Sequence, residues 1–306
     1  MHGLLIINPH ATTTGGETAR RVASSLAGLV DLEVVHTQHR GHAWELAAAA
    51  RDELVIVLGG DGAINEAVNG IMSRPPCAGD PPVLAVIPGG GGNVLARGLG
   101  VPMDTAAAVA RIEEVITAGR YRTIGLGLAG ERYFTFSAGL GMDAEVVGEV
   151  DRLRAAGHRE SATLFLGTMM RSYYTGTDRR TPALTLERDG HKPVADLFMT
   201  IVTNRSPWTY FRSRALLPVP SPDFSSGLDV LALRRLRLAT ICGAVGQMLW
   251  IRRRPPRGRN LLSVPGLESF TVRSARPIAF QVDGEYLGET EAVRFQFIPH
   301  AIRVAA

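Results

Sequence analysis

The sequence predicts an α/β domain on a parallel sheet, followed by a mostly antiparallel β domain. Three observations carry this. Short apolar runs alternate with helical patterns up to about residue 122, strands dominate from residue 123 onward, and the glycine-rich loops of the first part all follow apolar runs. Strand and helix in alternation imply βαβ units and a parallel sheet. Loops at the carboxyl ends of such strands gather along one edge, where open α/β sheets bind ligands.

In order, residues 4–8 read as a first strand, 17–29 as a helix, 32–36 as a strand and 43–51 as a helix. Residues 54–58, Leu-Val-Ile-Val-Leu, are apolar on both faces and read as a buried strand. A helix from Ile64 places Ile64, Ala67, Val68 and Ile71 on one face. A strand at 83–87 and helices within 93–98 and 104–118 complete the first domain. The second part reads as strands at 123–128, 133–138, 183–187, 196–204, 229–233, 268–273, 278–282, 292–297 and 301–305, with helices at 151–174 and 239–251. None of the glycine-rich loops that follow strands in the first part matches Gly-x-Gly-x-x-Gly, so a standard dinucleotide fingerprint is absent there.

Composition excludes several classes. Only Cys77 and Cys242 are present, without metal-ligand spacing, so no disulfide framework is implied and a reducing cytoplasm fits. The apolar run at 4–7 is too short for a secretion signal. Lys192 is the single lysine, in a predicted hairpin turn at Asp189-Gly190. P-loop NTPases and protein kinases both need a phosphate-bridging lysine, so neither fits. No nucleophile elbow supports hydrolase chemistry, and no basic motif interleaved with aromatics supports nucleic acid as a partner. His36, His39 and His42 suit one face of a turn, but no carboxylate or cysteine shows comparable spacing. A closed zinc site is therefore not expected, and His42 is expected to cap the helix that follows. Between Asp229 and Glu268 there is no acidic residue, while Arg234, Arg235, Arg237, Arg252, Arg253, Arg254, Arg257 and Arg259 are present. The apolar segment 238–251 inside this run is shorter than the ~20 residues a membrane span needs. Two readings stay open: a basic, partly apolar face for anionic lipid, or a core helix with solvated flanking arginines.

Residues 58–70, Leu-Gly-Gly-Asp-Gly-Ala-Ile-Asn-Glu-Ala-Val-Asn-Gly, join the 54–58 strand to a helix. Gly59, Gly60 and Gly62 are expected to let the backbone approach a ligand and take φ values other residues resist. The helix start adds N–H groups and a positive dipole, so phosphate can be held without a basic side chain. A carboxylate there, Asp61, implies Mg²⁺ or proton acceptance. The plainer alternative is a tight turn with Asp61 as N-cap.

This stretch resembles the glycine-rich signature of the diacylglycerol and sphingosine lipid kinases, where Gly-Gly-Asp-Gly is followed by Asn-Glu and Asn-Gly at the spacing of Asn65-Glu66 and Asn69-Gly70. NAD kinases and phosphofructokinases share Gly-Gly-Asp-Gly, but the Asn-Glu favours the lipid kinases. Asn8-Pro9 resembles the family's first nucleotide loop, and Thr37 with Gly41-His42-Ala43 its second. Residues 88–97, Pro-Gly-Gly-Gly-Gly-Asn-Val-Leu-Ala-Arg, resemble Pro-x-Gly-Thr-Gly-Asn-x-x-Ala-Arg. Gly139-Leu140-Gly141-Met142-Asp143-Ala144 and Val282-Asp283-Gly284-Glu285 match two later elements. The sequence departs at Gly91 and Ala63, where the family usually has a hydroxyl, and at Ser226-Gly227, where some bacterial members have Asp-Gly and a structural Mg²⁺.

The resemblance implies a diacylglycerol kinase-like or NAD kinase-like α/β domain over 1–122 and a β-sandwich over 123–306, whose last stretch packs back on the first domain. It implies ATP and Mg²⁺. Nucleotide contacts fall on Asn8, Pro9, His10, Ala11, Thr12, Thr37, Gly59, Gly60, Gly62, Ala63, Asn65, Glu66, Gly90, Gly91, Gly92 and Asn93. Glu285 becomes the general base, Asp61 the organiser of Mg²⁺ and phosphates with Asp223 as a further metal ligand, and Asp143 the contact to the lipid head group. The expected reaction moves the γ-phosphate to a lipid hydroxyl, with diacylglycerol first and phosphatidic acid as product. A sphingoid-base or other lipid-alcohol kinase, an NAD kinase and an inactive nucleotide-binding regulator follow as alternatives. The lipid would be met at an anionic membrane surface, the protein lying peripherally on its cytoplasmic face, with a homodimer among the open oligomeric states. Leu164, Phe165, Thr168, Met169 and Tyr173 read as an acyl pocket or an ordinary core face.

Overall fold

The computed structural model describes residues 1–51, 53–75, 79–156, 162–204, 207–211, 214–219, 224–250 and 254–306. Two compact units are present, one of residues 1–126 with 299–306 and one of residues 127–298.

In the first unit, β1 (His2–Ile7), β2 (Asp31–His36), β3 (Leu54–Gly59) and β4 (Val83–Pro88) pair in parallel in the order β2-β1-β3-β4. The central strands β3 and β4 are buried along their whole length, as strands covered on both faces must be, whereas edge strand β2 is largely exposed. Helices α1 (Gly16–Leu26), α2 (His42–Ala49), α3 (Asp61–Met72), α4 (Val94–Leu99) and α5 (Thr105–Ala118) connect or follow them. The α3 face is the predicted one, Ile64, Ala67, Val68 and Ile71 all being buried. The helix starts at Asp61 instead of Ile64, because its polar first turn carries no apolar periodicity. Register aligns the strand ends: Ile7 lies opposite both His36 and Leu58, and Gly59 opposite Pro88. The loops after all four strands therefore leave at one edge of the sheet. At its far side, Val304 and Ala305 pair in parallel with Leu84 and Ala85, so the final residues of β16 (Glu285–Ala305) add a strand.

The second unit is mostly antiparallel. Its elements are the end of β5 (Arg122–Ala129), β6 (Arg132–Phe134), β7 (Ser137–Gly141), α6 (Met142–Ala155), α7 (Ala162–Arg171) with a π-helical turn at Ser172–Gly176, β8 (Leu184–Glu187), β9 (Val194–Leu197), β10 (Met199–Thr203), β11 (Thr209–Phe211), β12 (Arg214–Leu216), β13 (Leu228–Leu233), α8 (Leu238–Trp250), β14 (Leu261–Leu267), β15 (Ser269–Val282) and most of β16. β15 changes partner along its length, pairing with β8 through Thr271–Ser274 positions and with β7 through Phe280, Gln281 and Val282. It thus joins a β8-β9 layer to a β7-β10-β13-β14 layer. Leu184, Leu186 and Leu197 from the first layer and Leu140, Val202 and Val230 from the second fill one core with Phe270, Val272 and Phe295.

Several element boundaries differ from expectation. The strand predicted at 196–204 is broken into β9 and β10, Asp196 having φ 60°. The pairs predicted at 268–273 with 278–282, and 292–297 with 301–305, are each one strand. A register shift between Arg273 and Ile278 absorbs the Pro277 interruption. The single helix predicted at 151–174 is α6 and α7, with residues 157–161 outside the described set. Tyr173 is buried and Met169 packs on the same cluster with Met142 and Phe198, so these positions serve the core. Leu164 and Phe165 lie outside the described side chains.

Helices α2 and α3 touch through a glycine. A Cβ built on Gly70 would stand 2.3 Å from the Trp44 carbonyl oxygen and 3.0 Å from Ala47 Cβ. Gly70→Val should destabilise the protein by about 2–3 kcal/mol, because backbone and not a flexible side chain blocks the new group. Chemical denaturation measures it, and an unchanged midpoint would refute the close packing.

Candidate active-site residues

At the sheet edge of the first unit, the loops after β3 and β4 are pressed together backbone to backbone. A Cβ on Gly90 would lie 2.7 Å from Gly60 Cα, and one on Gly89 3.0 Å from Gly59 Cα and 2.7 Å from Thr14 Cγ2. The Gly89 N–H donates to Gly59 O at 2.8 Å. None of Gly59, Gly60, Gly62, Gly89, Gly90 or Gly92 has positive φ. The expectation that these glycines supply unusual φ values is therefore corrected: at Gly60, Gly89 and Gly90 what matters is the missing side chain between two chains. Gly62 differs, with open space around the position of a Cβ. Room for an anion thus exists at the start of α3, beside N–H groups of its first turn.

Asp61 is the first residue of α3 and not its N-cap, which is Gly60. Its Oδ1 accepts from the Val94 N–H, the first of α4, at 2.7 Å, and its Oδ2 lies where a Gly92 side chain would stand. Carboxylate at a helix N-terminus is favourable in itself, so Asp61 ties the starts of α3 and α4 together. Asn93, at φ 50°, closes the loop before α4: its Oδ1 accepts from the Gly90 N–H at 2.9 Å and its Nδ2 donates to Gly90 O at 2.7 Å. Gly91 is exposed and carries no hydroxyl.

The other predicted nucleotide residues divide by role. Asn8 Oδ1 accepts from the His10 N–H at 3.0 Å, forming a local turn in which Pro9, His10 and Thr12 are exposed and Ala11 half-buried. Thr14, which sequence reasoning missed, is buried beneath this turn and donates to Asn8 O at 2.6 Å. The Thr37 N–H donates to Ile7 O at 2.8 Å. Ala63 and Asn65 are buried inside the fold, Asn65 Oδ1 accepting from Asn69. Glu66 reaches to α2, accepting from the Gly41 N–H at 2.9 Å and the Ala43 N–H at 3.2 Å. Glu66 therefore satisfies the α2 N-terminus, a task expected of His42. His42 Nδ1 instead accepts from the Gln38 N–H at 3.0 Å. A carboxylate does share the histidine spacing: Glu45 groups with His39 and His42, their ligand atoms within 4.8 Å of one another. His36 is not in that group, and His42 commits Nδ1 to the backbone.

The second unit brings Asp143 and the Asp283-Gly284-Glu285 turn together. Asp283 and Gly284, at φ 48° and 77°, make the tight turn of the β15–β16 hairpin, with Val282 opposite Glu285. Asp283 is buried and its carboxylate accepts from the Thr135, Phe136 and Ser137 N–H groups and from Thr135 Oγ1, at 2.7–3.0 Å. Glu285 is half-buried and pairs with Arg132 Nη2 at 2.9 Å. Gln281, 1% exposed, links the turn to Asp143: its Oε1 accepts from the Gly284 N–H at 2.9 Å and its Nε2 donates to Asp143 Oδ2 at 2.7 Å. Burial pushes the Asp143 carboxyl up to about 6, against the stabilising bonds from Gln281 and Trp208. Gly139 makes space for this carboxylate, since a Cβ there would stand 2.1 Å from Asp143 Oδ2. Arg132, Gln281 and Trp208 carried no motif. An Asp-Gly pair is a hairpin signal, but nothing in the sequence points to the four donors that hold this one. Asp223 lies outside the described residues, and Asp229 is buried, its Oδ1 accepting from the Gly266 N–H at 2.8 Å.

A parallel α/β unit with glycine loops at its strand ends, followed by a β-rich unit holding buried carboxylates, is an architecture with known relatives. Residues 2–127 match the diacylglycerol kinase catalytic domain family. A Streptococcus pneumoniae relative is 30% identical over 156 residues, 48% of this chain and 49% of that protein. A Bacillus subtilis diacylglycerol kinase is 28% identical over 65% of this chain and 60% of its own length. The chain thus spans about half and three fifths of these two relatives. A Staphylococcus carnosus diacylglycerol kinase is 26% identical over 94% of this chain and 90% of that protein. The crystal structure of a diacylglycerol kinase from Bacillus anthracis shares the fold with a TM-score of 0.71 at 19% identity, covering 99% of this chain and 96% of that one. Over residues 2–127 the chain is thus similar to the diacylglycerol kinase catalytic domain, and its fold is that of the Bacillus anthracis structure.

Because the fold holds Asp143 with a raised pKa, the neutral form is the one favoured on folding. Its contribution to stability is complete below the ordinary carboxyl pKa near 4 and is lost as pH rises through about 6. Between pH 4.5 and 8, wild type should lose about 2 kcal/mol relative to Asp143→Asn. Gln281→Leu, which removes a bond to the charged form, should move the midpoint higher. Denaturation curves across pH measure both, and a pH-independent difference from Asp143→Asn would refute the shift.

Proposed function

We propose that this protein is an ATP-dependent lipid kinase that phosphorylates a lipid hydroxyl, with diacylglycerol as the acceptor and phosphatidic acid as the product. The observation that carries the reading is the hairpin turn bearing Glu285, held by four donors to Asp283 and bonded through Gln281 to Asp143. A carboxylate fixed at a rigid turn is suited to take a proton, and a second one buried nearby in the bonded network is suited to hold the acceptor's polar head. The family match supports phosphoryl transfer as the chemistry.

In this reading the acceptor oxygen attacks the γ-phosphorus of ATP, the bond to the bridging oxygen breaks, and the acceptor's proton passes to Glu285. Arg132 orients the Glu285 carboxylate, and Asp143 hydrogen-bonds the head group. The open space beside Gly62 at the start of α3 suits phosphate, with the joined loops of Gly59, Gly60, Gly89 and Gly90 fixing its walls. Mg²⁺ would neutralise phosphate charge. The residues fit an ion that arrives with the nucleotide: Asp61 offers one carboxylate, and among the described residues no His, Cys, Asp or Glu cluster surrounds it. The acceptor is taken from an anionic membrane surface on the cytoplasmic side.

The direct test is transfer of labelled γ-phosphate to diacylglycerol, a sphingoid base and NAD⁺. Diacylglycerol should be labelled, whereas labelled NAD⁺ with unlabelled lipid would refute the assignment. Glu285→Gln should cut turnover by at least about a thousandfold, in the range of lost proton transfer, while ATP binding persists. Full activity in that variant removes Glu285 from the mechanism. Asp61→Asn should raise the Mg²⁺ concentration needed for half-maximal rate, and an unchanged metal dependence would count against its role.

A further inference from the structure

Helix α8 has no charged side chain in its 13 residues, although only one of its faces is buried. Ile241, Ala244, Val245, Met248 and Leu249 pack onto Trp208, Leu231 and Leu261. Gln247 is occupied, its Nε2 donating to Arg257 O at 3.0 Å and its Oε1 accepting from the Arg257 N–H at 2.8 Å. The opposite face presents Ala239, Cys242 and Gly243, all exposed, and ends in Trp250, 74% exposed. The Trp250 ring lies along this face, 3.9 Å from where a Cβ on Gly246 would stand. A helix face left to water ordinarily carries charge, and this one offers only small groups and an indole.

Arginines stand at both ends. Arg234, Arg235 and Arg237 precede the helix and Arg254, Arg257 and Arg259 follow it, none in an ion pair among the described residues. The helix dipole disfavours the first three, since the N-terminal end is already positive, so α8 gains nothing from them. An anionic partner does. At 1.5 Å per residue α8 is about 20 Å long, too short for a hydrocarbon core of about 30 Å. No helix among the described residues is long and apolar enough to cross a membrane.

We propose that the outer face of α8 is a membrane-docking surface, lying in the plane of an anionic bilayer with Trp250 at headgroup depth and the flanking arginines on lipid phosphates. Indole rings favour that depth, and an apolar face combined with basic charge supplies the two contributions stable interfacial binding needs. A second copy of this chain is a poorer occupant, because a two-fold contact would bring the arginine clusters of both copies together. The proposal deepens the reading that the acceptor is drawn from a membrane, and does not depend on which lipid is phosphorylated.

The test is co-sedimentation of the full chain with vesicles of phosphatidylcholine alone and of phosphatidylcholine with phosphatidylglycerol in equal parts, at low and high salt. Binding should require phosphatidylglycerol and weaken with salt. The triple variant Arg235→Gln, Arg237→Gln, Arg254→Gln should bind about a hundredfold more weakly, and Trp250→Ala about tenfold more weakly. Both should keep wild-type circular dichroism and wild-type phosphorylation of lipid dispersed in detergent micelles. Equal binding to neutral and anionic vesicles, or unchanged binding in both variants, overturns the proposal. So does a Trp250→Ala variant that turns a dimer into a monomer while vesicle binding persists, since that assigns the face to a second copy. Wild-type vesicle docking without any phosphorylation in micelles would uphold the docking surface and sink the kinase reading instead.

Discussion

The first unit depends on one contact, the passage of Gly60 past Gly90 with no side chain between them. A methyl group on either loop would push β3 and β4 connections apart, and with them the starts of α3 and α4. The Asp61 bond to Val94 spans that junction and works only while it stays closed. Glycine is here a spacing element: the conformations are ordinary, and the cost of its backbone entropy is offset by the approach it permits.

Carboxylates do much of the structural work. Asp61 and Glu66 each satisfy N–H groups at the start of a helix other than their own, and Asp283 gathers four donors from the β6–β7 connection. Each exchanges some hydration for fixed donors, and such bonds reduce what burying a carboxylate costs. At Asp283 and Asp143, both fully buried, burial still outweighs the bonds and raises the carboxyl pKa, that of Asp143 to about 6. Groups held away from their preferred charge state concentrate where proteins bind and react.

What was legible in the sequence follows from the range of the interactions involved. Apolar periodicity identified β1, β3, β4 and the buried face of α3, because each is set by burial of a continuous local segment. The Asp283-Gly284 turn was legible because two positive φ angles select that dipeptide. The partnerships of Glu66 with α2, Arg132 with Glu285 and Gln281 with Asp143 were not, since each joins residues distant in sequence through one hydrogen bond. Strand breaks failed for a related reason: Pro277 looks like an interruption locally, but a register shift carries β15 across it. The histidine triplet shows the reverse error, with attention on His36 when Glu45 was the residue brought into the group.

The last strand carries an implication for how this chain is divided. β16 starts at Glu285 in the second unit, yet its final residues, Val304 and Ala305, complete the sheet of the first. The family match ends at residue 127, so the matched segment lacks the residues that pair with the outer edge of β4. Cut there, it would expose the outer edge of β4, an unpaired row of amide and carbonyl groups on a fully apolar strand. The first unit is therefore finished by the final residues of β16. During synthesis its sheet stays open-edged until residue 305 has emerged.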